Sequence, residues 1–156
     1  MRRVFLAVSC AALAIALLLP SAGEAGLGLR FFHTLDNNIA CGIVKGQKKR
    51  RKGGKKIPRI PGEARCDVRA HTWVAPPKPA NCPLDWGNGV VVGDRGFPNY
   101  VCAGDTVADA NSPAAGPGSV IALGRYSCTV LEQSVRCTNL ATGRGFEVSA
   151  SQVSLF

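Results

Sequence analysis

Apolar positions along this chain recur in short runs with a period of two, and beyond Pro20 no stretch sustains a helical period. Gly28 to His33 alternates loosely and carries Phe31 and Phe32, the pattern of a half-buried strand. Thr34 to Asn38 reads as a turn and Ile39 to Val44 as a strand, with its far partner at Ala64 to Ala70, reaching Trp73. Val90 to Val92 predicts a short buried strand between turns at Asp85 to Gly89 and Gly93 to Gly96, and Tyr100 to Cys102 a returning one. Val74 to Pro83 and Asp109 to Gly118, rich in proline, alanine and glycine, predict extended connectors rather than helices. Val120 to Leu123, Tyr126 to Val130, Val135 to Thr138 and Gly145 to Val148 continue the series, and Ser149 is expected to cap a single helical turn before Val153 to Phe156 ends the chain as an edge strand. The fold class is therefore all-β: a small disulfide-stapled sandwich or partly open barrel of about seven to nine short antiparallel strands.

The sharpest local prediction lies in Tyr126 to Phe146. If Glu132 and Gln133 form a two-residue loop, Leu131 faces Ser134, and Cys128 falls opposite Cys137 at a non-hydrogen-bonded pair. Opposed Cα atoms there are about 4.5 Å apart, close enough for a disulfide. The flanks of these cysteines recur earlier: Ile39-Ala40-Cys41-Gly42-Ile43 resembles Tyr126-Ser127-Cys128-Thr129-Val130, and Ala64-Arg65-Cys66-Asp67 resembles Val135-Arg136-Cys137-Thr138. Two hairpins, one carrying a long insertion, are expected to frame the domain.

Residues 1–25 have the layout of a signal peptide: Arg2 and Arg3, an apolar run from Val4 to Leu19, Pro20, then small residues with cleavage expected after Ala25. The run is shorter than the roughly 20 apolar residues of a membrane span, so no transmembrane segment is expected after cleavage. Removing the leader removes Cys10 and leaves six cysteines, Cys41, Cys66, Cys82, Cys102, Cys128 and Cys137. An even number in an exported chain predicts a disulfide framework, and pairing in sequence order is the expectation. No two of them form a C-x-x-C pair, so no metal site is predicted. Residues 26–156 are expected to form one secreted domain.

The formal charge of +9 is unevenly spread. Lys45, Lys48, Lys49, Arg50, Arg51, Lys52, Lys55, Lys56 and Arg59 lie in one insertion; without these nine, the chain from Gly26 has 8 basic against 9 acidic residues, a net charge of −1. Like charge, Gly53-Gly54 and the prolines of this segment predict a disordered basic loop over 45–63. Such a run attracts polyanions, and the partner expected is an anionic wall polymer or membrane surface. It holds no aromatic residue, so stacking on nucleic-acid bases has no support.

Catalytic chemistry is not predicted. Asp85, Asp94, Asp105 and Asp109 flank Cys82 and Cys102 and can be paired on paper as acid and base, but aspartate among glycine and asparagine is a turn former. His33 and His71 stand in no nucleophile motif, Trp73, three residues before Pro76, and Trp86, beside Gly87, read as lids over a disulfide, and no cofactor-binding pattern is present. The leading expectation is a secreted, non-catalytic binding domain. The alternative is a secreted hydrolase or protease-type inhibitor working through the loops around Cys82 and Cys102.

Several segments carry a resemblance: Asn38-Ile39-Ala40-Cys41, Cys102-Ala103-Gly104-Asp105-Thr106, and Cys137-Thr138-Asn139 with Thr142-Gly143-Arg144-Gly145-Phe146. Together they resemble a family of small secreted actinobacterial proteins of unknown function, over about residues 31 to 156. The resemblance implies secretion and paired cysteines and brings no catalytic residue, ligand or cofactor. The basic insertion after Val44 departs from the family pattern.

Overall fold

The computed structural model describes residues 28–156; the leader expected at 1–25, with Cys10, lies outside the described residues. Among the described residues there are thirteen strands and no helix. They are β1 (Leu29–Thr34), β2 (Ile39–Val44), β3 (Arg50–Lys52), β4 (Lys55–Ile57), β5 (Glu63–Val68), β6 (Trp86–Gly93), β7 (Pro98–Cys102), β8 (Ala114–Ala115), β9 (Val120–Leu123), β10 (Tyr126–Val130), β11 (Ser134–Asn139), β12 (Arg144–Ser149) and β13 (Val153–Leu155). One sheet has the order β7-β6-β5-β2-β1-β8, the other β13-β12-β11-β10-β9, and β3 and β4 stand apart as a ribbon. The two large sheets pack face to face around one core, so the fold is an all-β sandwich and not a closed barrel.

The large sheets share one plan. Five strands run as a meander in each, and each carries a disulfide between its second and third strands, Cys41 to Cys66 and Cys128 to Cys137. Register makes the correspondence exact to the residue: Phe32, Cys41, Cys66, Val90 and Tyr100 form a transverse row in one sheet. Ile121, Cys128, Cys137, Phe146 and Leu155 form the matching row in the other. Both cysteine pairs are opposed across antiparallel ladders, with Cα atoms 4.1 and 4.0 Å apart. The rows face one another through the core, where Cys66 Sγ lies 3.6 Å from Cys137 Sγ. Alternation thus buries both bridges with Phe32, Ile43, Val130 and Val148, and turns Arg65 and Arg136, each one residue before a cysteine, to the outer faces.

Cys82 and Cys102 form the third bridge, which ties the proline-rich connector to the end of β7. From there residues 103–113 run as a strap over the outer face of the larger sheet. Ala103 N–H donates to Asp85 O and Val107 N–H to Asp67 Oδ2, and His33 Nδ1 meets Ser112 Oγ at 3.0 Å. Because the Ser112 hydroxyl donates to Asp109 O, the imidazole is the donor in that contact. The strap ends in β8, which pairs parallel with β1.

Four details depart from the sequence expectations. The strand count exceeds seven to nine in part because β3, β4 and β8, only two or three residues long, lie in segments expected to be loops. The turn expected at Asp85 to Gly89 is the start of β6, bent by an irregularity between Trp86 and Val90. Gly87, at φ 88°, allows that bend, and a Cβ there would meet Ala75 Cβ at 2.5 Å. Ser149 caps no helix; its Oγ accepts from Ser151 and Gln152 N–H in the tight turn joining β12 to β13. The basic segment expected to lack order forms the ribbon, because Gly53 and Gly54, at φ 56° and 78°, supply the two positive φ angles of a type I′ hairpin turn.

Candidate functional site: the basic ribbon and its neck

Residues 45–62 occupy the place that Glu132 and Gln133 hold in the matching hairpin. Val44 pairs with Glu63 three residues from each cysteine, just as Leu131 faces Ser134. Beyond that pair the two chains continue outward, bridged at Gln47 and Ile60, into β3 and β4. The antiparallel register sets Arg51 opposite Lys56 and Lys52 opposite Lys55. Lys48, Lys49, Arg51, Lys52, Lys55 and Lys56 are exposed and make no ion pair among the described residues. Arg50 pairs with Ile57 along the backbone. The other two predicted anion-binding residues sit at the neck: Lys45 packs beside Gly28 and Gly124, and Arg59 pairs with Asp94.

Asp94 organises that neck. Its carboxylate accepts from the Gly62 N–H, from the Tyr126 hydroxyl at 3.0 Å and from Arg59. Partial burial works to raise its pKa, yet these hydrogen bonds and the Arg59 charge outweigh it and hold the carboxyl below its usual range. Burial, followed by the Asp94 bond and charge, pushes the Tyr126 hydroxyl far above its ordinary range, so it remains a donor. The ribbon is therefore hinged to the second sheet through a fully buried tyrosine. Nothing in the local sequence announces this, since Asp94 in Gly93-Asp94-Arg95-Gly96 looks like a turn former.

On the outer face of the larger sheet, an open cleft of about 650 Å³ lies between the strap and the β1–β2 turn, with Arg65, Asp67, His71, Asp85 and Asp105 among its lining residues. Arg65 is its fixed point. The guanidinium forks onto Asp67 at 2.8 and 2.9 Å and reaches Asp105 Oδ1 at 2.8 Å and Asp105 O at 2.6 Å. Those hydrogen bonds and the Arg65 charge hold the Asp105 carboxyl below its ordinary range. With four N–H bonds already committed, Arg65 pins the strap to the sheet.

The aspartates that flank the middle bridge are separated in role. Asp85 lines the cleft, Asp94 holds the neck, Asp105 holds Arg65, and Asp109 accepts the Asn111 N–H in a loop turn. His71 stacks on Trp73 with ring centroids 3.6 Å apart, and its Nδ1 donates to Trp73 O. Trp73 Nε1 donates to Ser149 O across the sheets, and Trp86 Nε1 to Pro76 O, so both indoles are tied to backbone. Cys41, Cys66 and Cys137 bring three sulfurs together, but all three are in disulfides and offer no thiolate to a metal.

Residues 11–156 match the model of DUF6636, a family of unknown function. The chain belongs to that family. No curated protein and no solved structure matches the chain. This DUF6636 domain is thus an all-β sandwich with three disulfides, a set of bonds that fits folding in an oxidising, extracytoplasmic compartment.

Proposed function

We infer that the protein is a secreted, non-catalytic binding domain that docks onto phosphate-rich anionic surfaces of the cell envelope, a wall polymer or the headgroups of a membrane, through the ribbon. One observation carries this: six exposed cations, Lys48, Lys49, Arg51, Lys52, Lys55 and Lys56, project on one hairpin with no carboxylate partner among the described residues. Without the nine basic residues of this insertion the chain from Gly26 has a net charge of −1, so the attraction is local and directional. The leader expected at residues 1–25 and the three disulfides support an extracytoplasmic address.

The test is co-sedimentation of the mature protein with inorganic polyphosphate and, separately, with phosphatidylglycerol vesicles, at two salt concentrations. With about six charge contacts, affinity is expected to fall roughly 10²- to 10³-fold between about 50 and 200 mM salt. Binding indifferent to salt would transfer the role to a shaped pocket such as the Arg65 cleft, and no binding to either anion would remove the proposal.

A further inference from the structure

Resting on that function for the ribbon, we propose that its ligand is a linear phosphate chain, and that the ribbon becomes firmly ordered only when successive phosphates bridge its cross-strand cation pairs. Arg51 and Lys56 stand directly opposite one another, and so do Lys52 and Lys55. Like charges in opposed positions work against a ladder, and by the alternation of an antiparallel hairpin the Arg51–Lys56 pair is the non-hydrogen-bonded one, where side chains come closest. Little else holds the ribbon together. It joins neither large sheet, and its tip is Gly53-Gly54, where an added Cβ would meet nothing within 4 Å. It is fastened at the base by the Gln47–Ile60 bridge and the Arg59–Asp94 pair. A two-stranded hairpin without a covering layer is marginal on its own.

An anion placed between opposed cations changes the sign of the interaction. On one face of the ribbon an open cleft of about 590 Å³ is lined by Lys49, Arg51, Lys56, Ile57 and Pro58. Three cations converge there, and the Arg51 guanidinium can take two phosphate oxygens at once. Lys52 and Lys55 lie one residue further along and therefore face the other way. Cations on both faces favour a flexible chain that passes around the glycine tip over a bilayer, which meets one face at a time. The tip also lacks the apolar side chains that would enter a membrane; Ile57 and Ile60, 38% and 43% exposed, lie toward the base.

The experiment is hydrogen exchange of the mature protein, following amides 50–57 with those of β2 and β5 as internal reference, alone, saturated with inorganic polyphosphate, and with phosphatidylglycerol vesicles. Free ribbon amides should exchange quickly and slow by roughly tenfold or more with polyphosphate, while the reference strands stay unchanged. In R51Q/K56Q the free ribbon should exchange more slowly than in the parent, because the repulsion is gone, and polyphosphate should bind more weakly, with a salt slope shallower by about 1.4. Polyphosphate binding without slower exchange would overturn the proposed ordering and leave the docking function standing. Protection by vesicles equal to that by polyphosphate would overturn the linear chain as ligand. A double variant no slower in its free state would show that like charge does not oppose the ladder and would overturn the proposal. Absence of binding to both anions would remove the docking function and this inference with it.

Discussion

Where Glu132 and Gln133 close the hairpin of β10 and β11, residues 45–62 close the matching hairpin of β2 and β5. The same contrast appears one strand later: residues 140–143 turn directly from β11 to β12, whereas residues 69–85 make a long crossing from β5 to β6. The strap, too, covers the outer face of the first sheet. One sheet is thus a bare meander and the other the same meander with additions, and the core row of each is equivalent. The lesson is a division of labour. Interior positions repeat because two sheets must bury complementary faces, while loops at strand ends are free to lengthen and acquire chemistry.

The two disulfides allow the most forceful test of this equivalence. Both are fully buried and touch, so their packing contributions should be alike, but their sequence separations are 25 and 9. Replacing Cys41 and Cys66 together by Ala should lower stability by about 3.5 kcal/mol through loop entropy, against about 2.5 kcal/mol for Cys128 and Cys137. Denaturant melts of the two double variants give the order directly. The reverse order would mean that the sulfurs beside Phe146 matter more as packing than as a crosslink.

Arg65 and Arg136 sharpen the comparison, since each precedes its cysteine by one residue and faces outward. Arg65 is 10% exposed beneath the strap, whereas Arg136 is 49% exposed, with Glu147 at 3.3 Å and Phe156 beneath its guanidinium. Arg65→Ala should cost about 3 kcal/mol and free the strap to exchange, because it leaves Asp67 without its partner under cover. Arg136→Ala should cost about 0 to 1 kcal/mol. Equal losses in thermal melts would show that the strap adds nothing to the burial of Arg65.

A smaller effect belongs to the neck. Because the folded-state pKa of Asp94 is depressed, its contribution to stability is present above its ordinary value of 3.8 and is lost as pH falls through the folded value. Asp94→Asn should therefore be less stable than the parent at neutral pH and show a shallower decline on acidification below that value. Parallel acid titrations followed by tyrosine fluorescence would reveal it, and identical slopes would mean that another carboxylate carries the acid sensitivity.

How far all this can be read in the sequence follows from how local each constraint is. The register of β10 and β11 is legible because a two-residue turn leaves the pairing of Cys128 with Cys137 little freedom. The charge of the ribbon is legible from composition alone, since it needs no tertiary information. Its order is not, because the prolines and like charges at 45–63 argue against regular structure and only the positive φ of Gly53 and Gly54 tips the balance. Arg65 is half legible: alternation turns it outward, but Asp105 lies 40 residues away and reaches it only through the strap. The two-residue β8 is imposed from a distance, by that strap and not by propensity.

Replacing residues 45–62 by a two-residue Asn-Gly turn would make the first hairpin as bare as the second, and it tests most directly the claim that the ribbon is a binding appendage on a self-sufficient sandwich. The variant should keep its three disulfides and melt within about 5 °C of the parent, since the change removes the Arg59 and Gly62 bonds to Asp94 but shortens a loop. Its salt-sensitive binding to polyphosphate should vanish. Retained binding, or a variant that fails to oxidise and fold, would contradict the account.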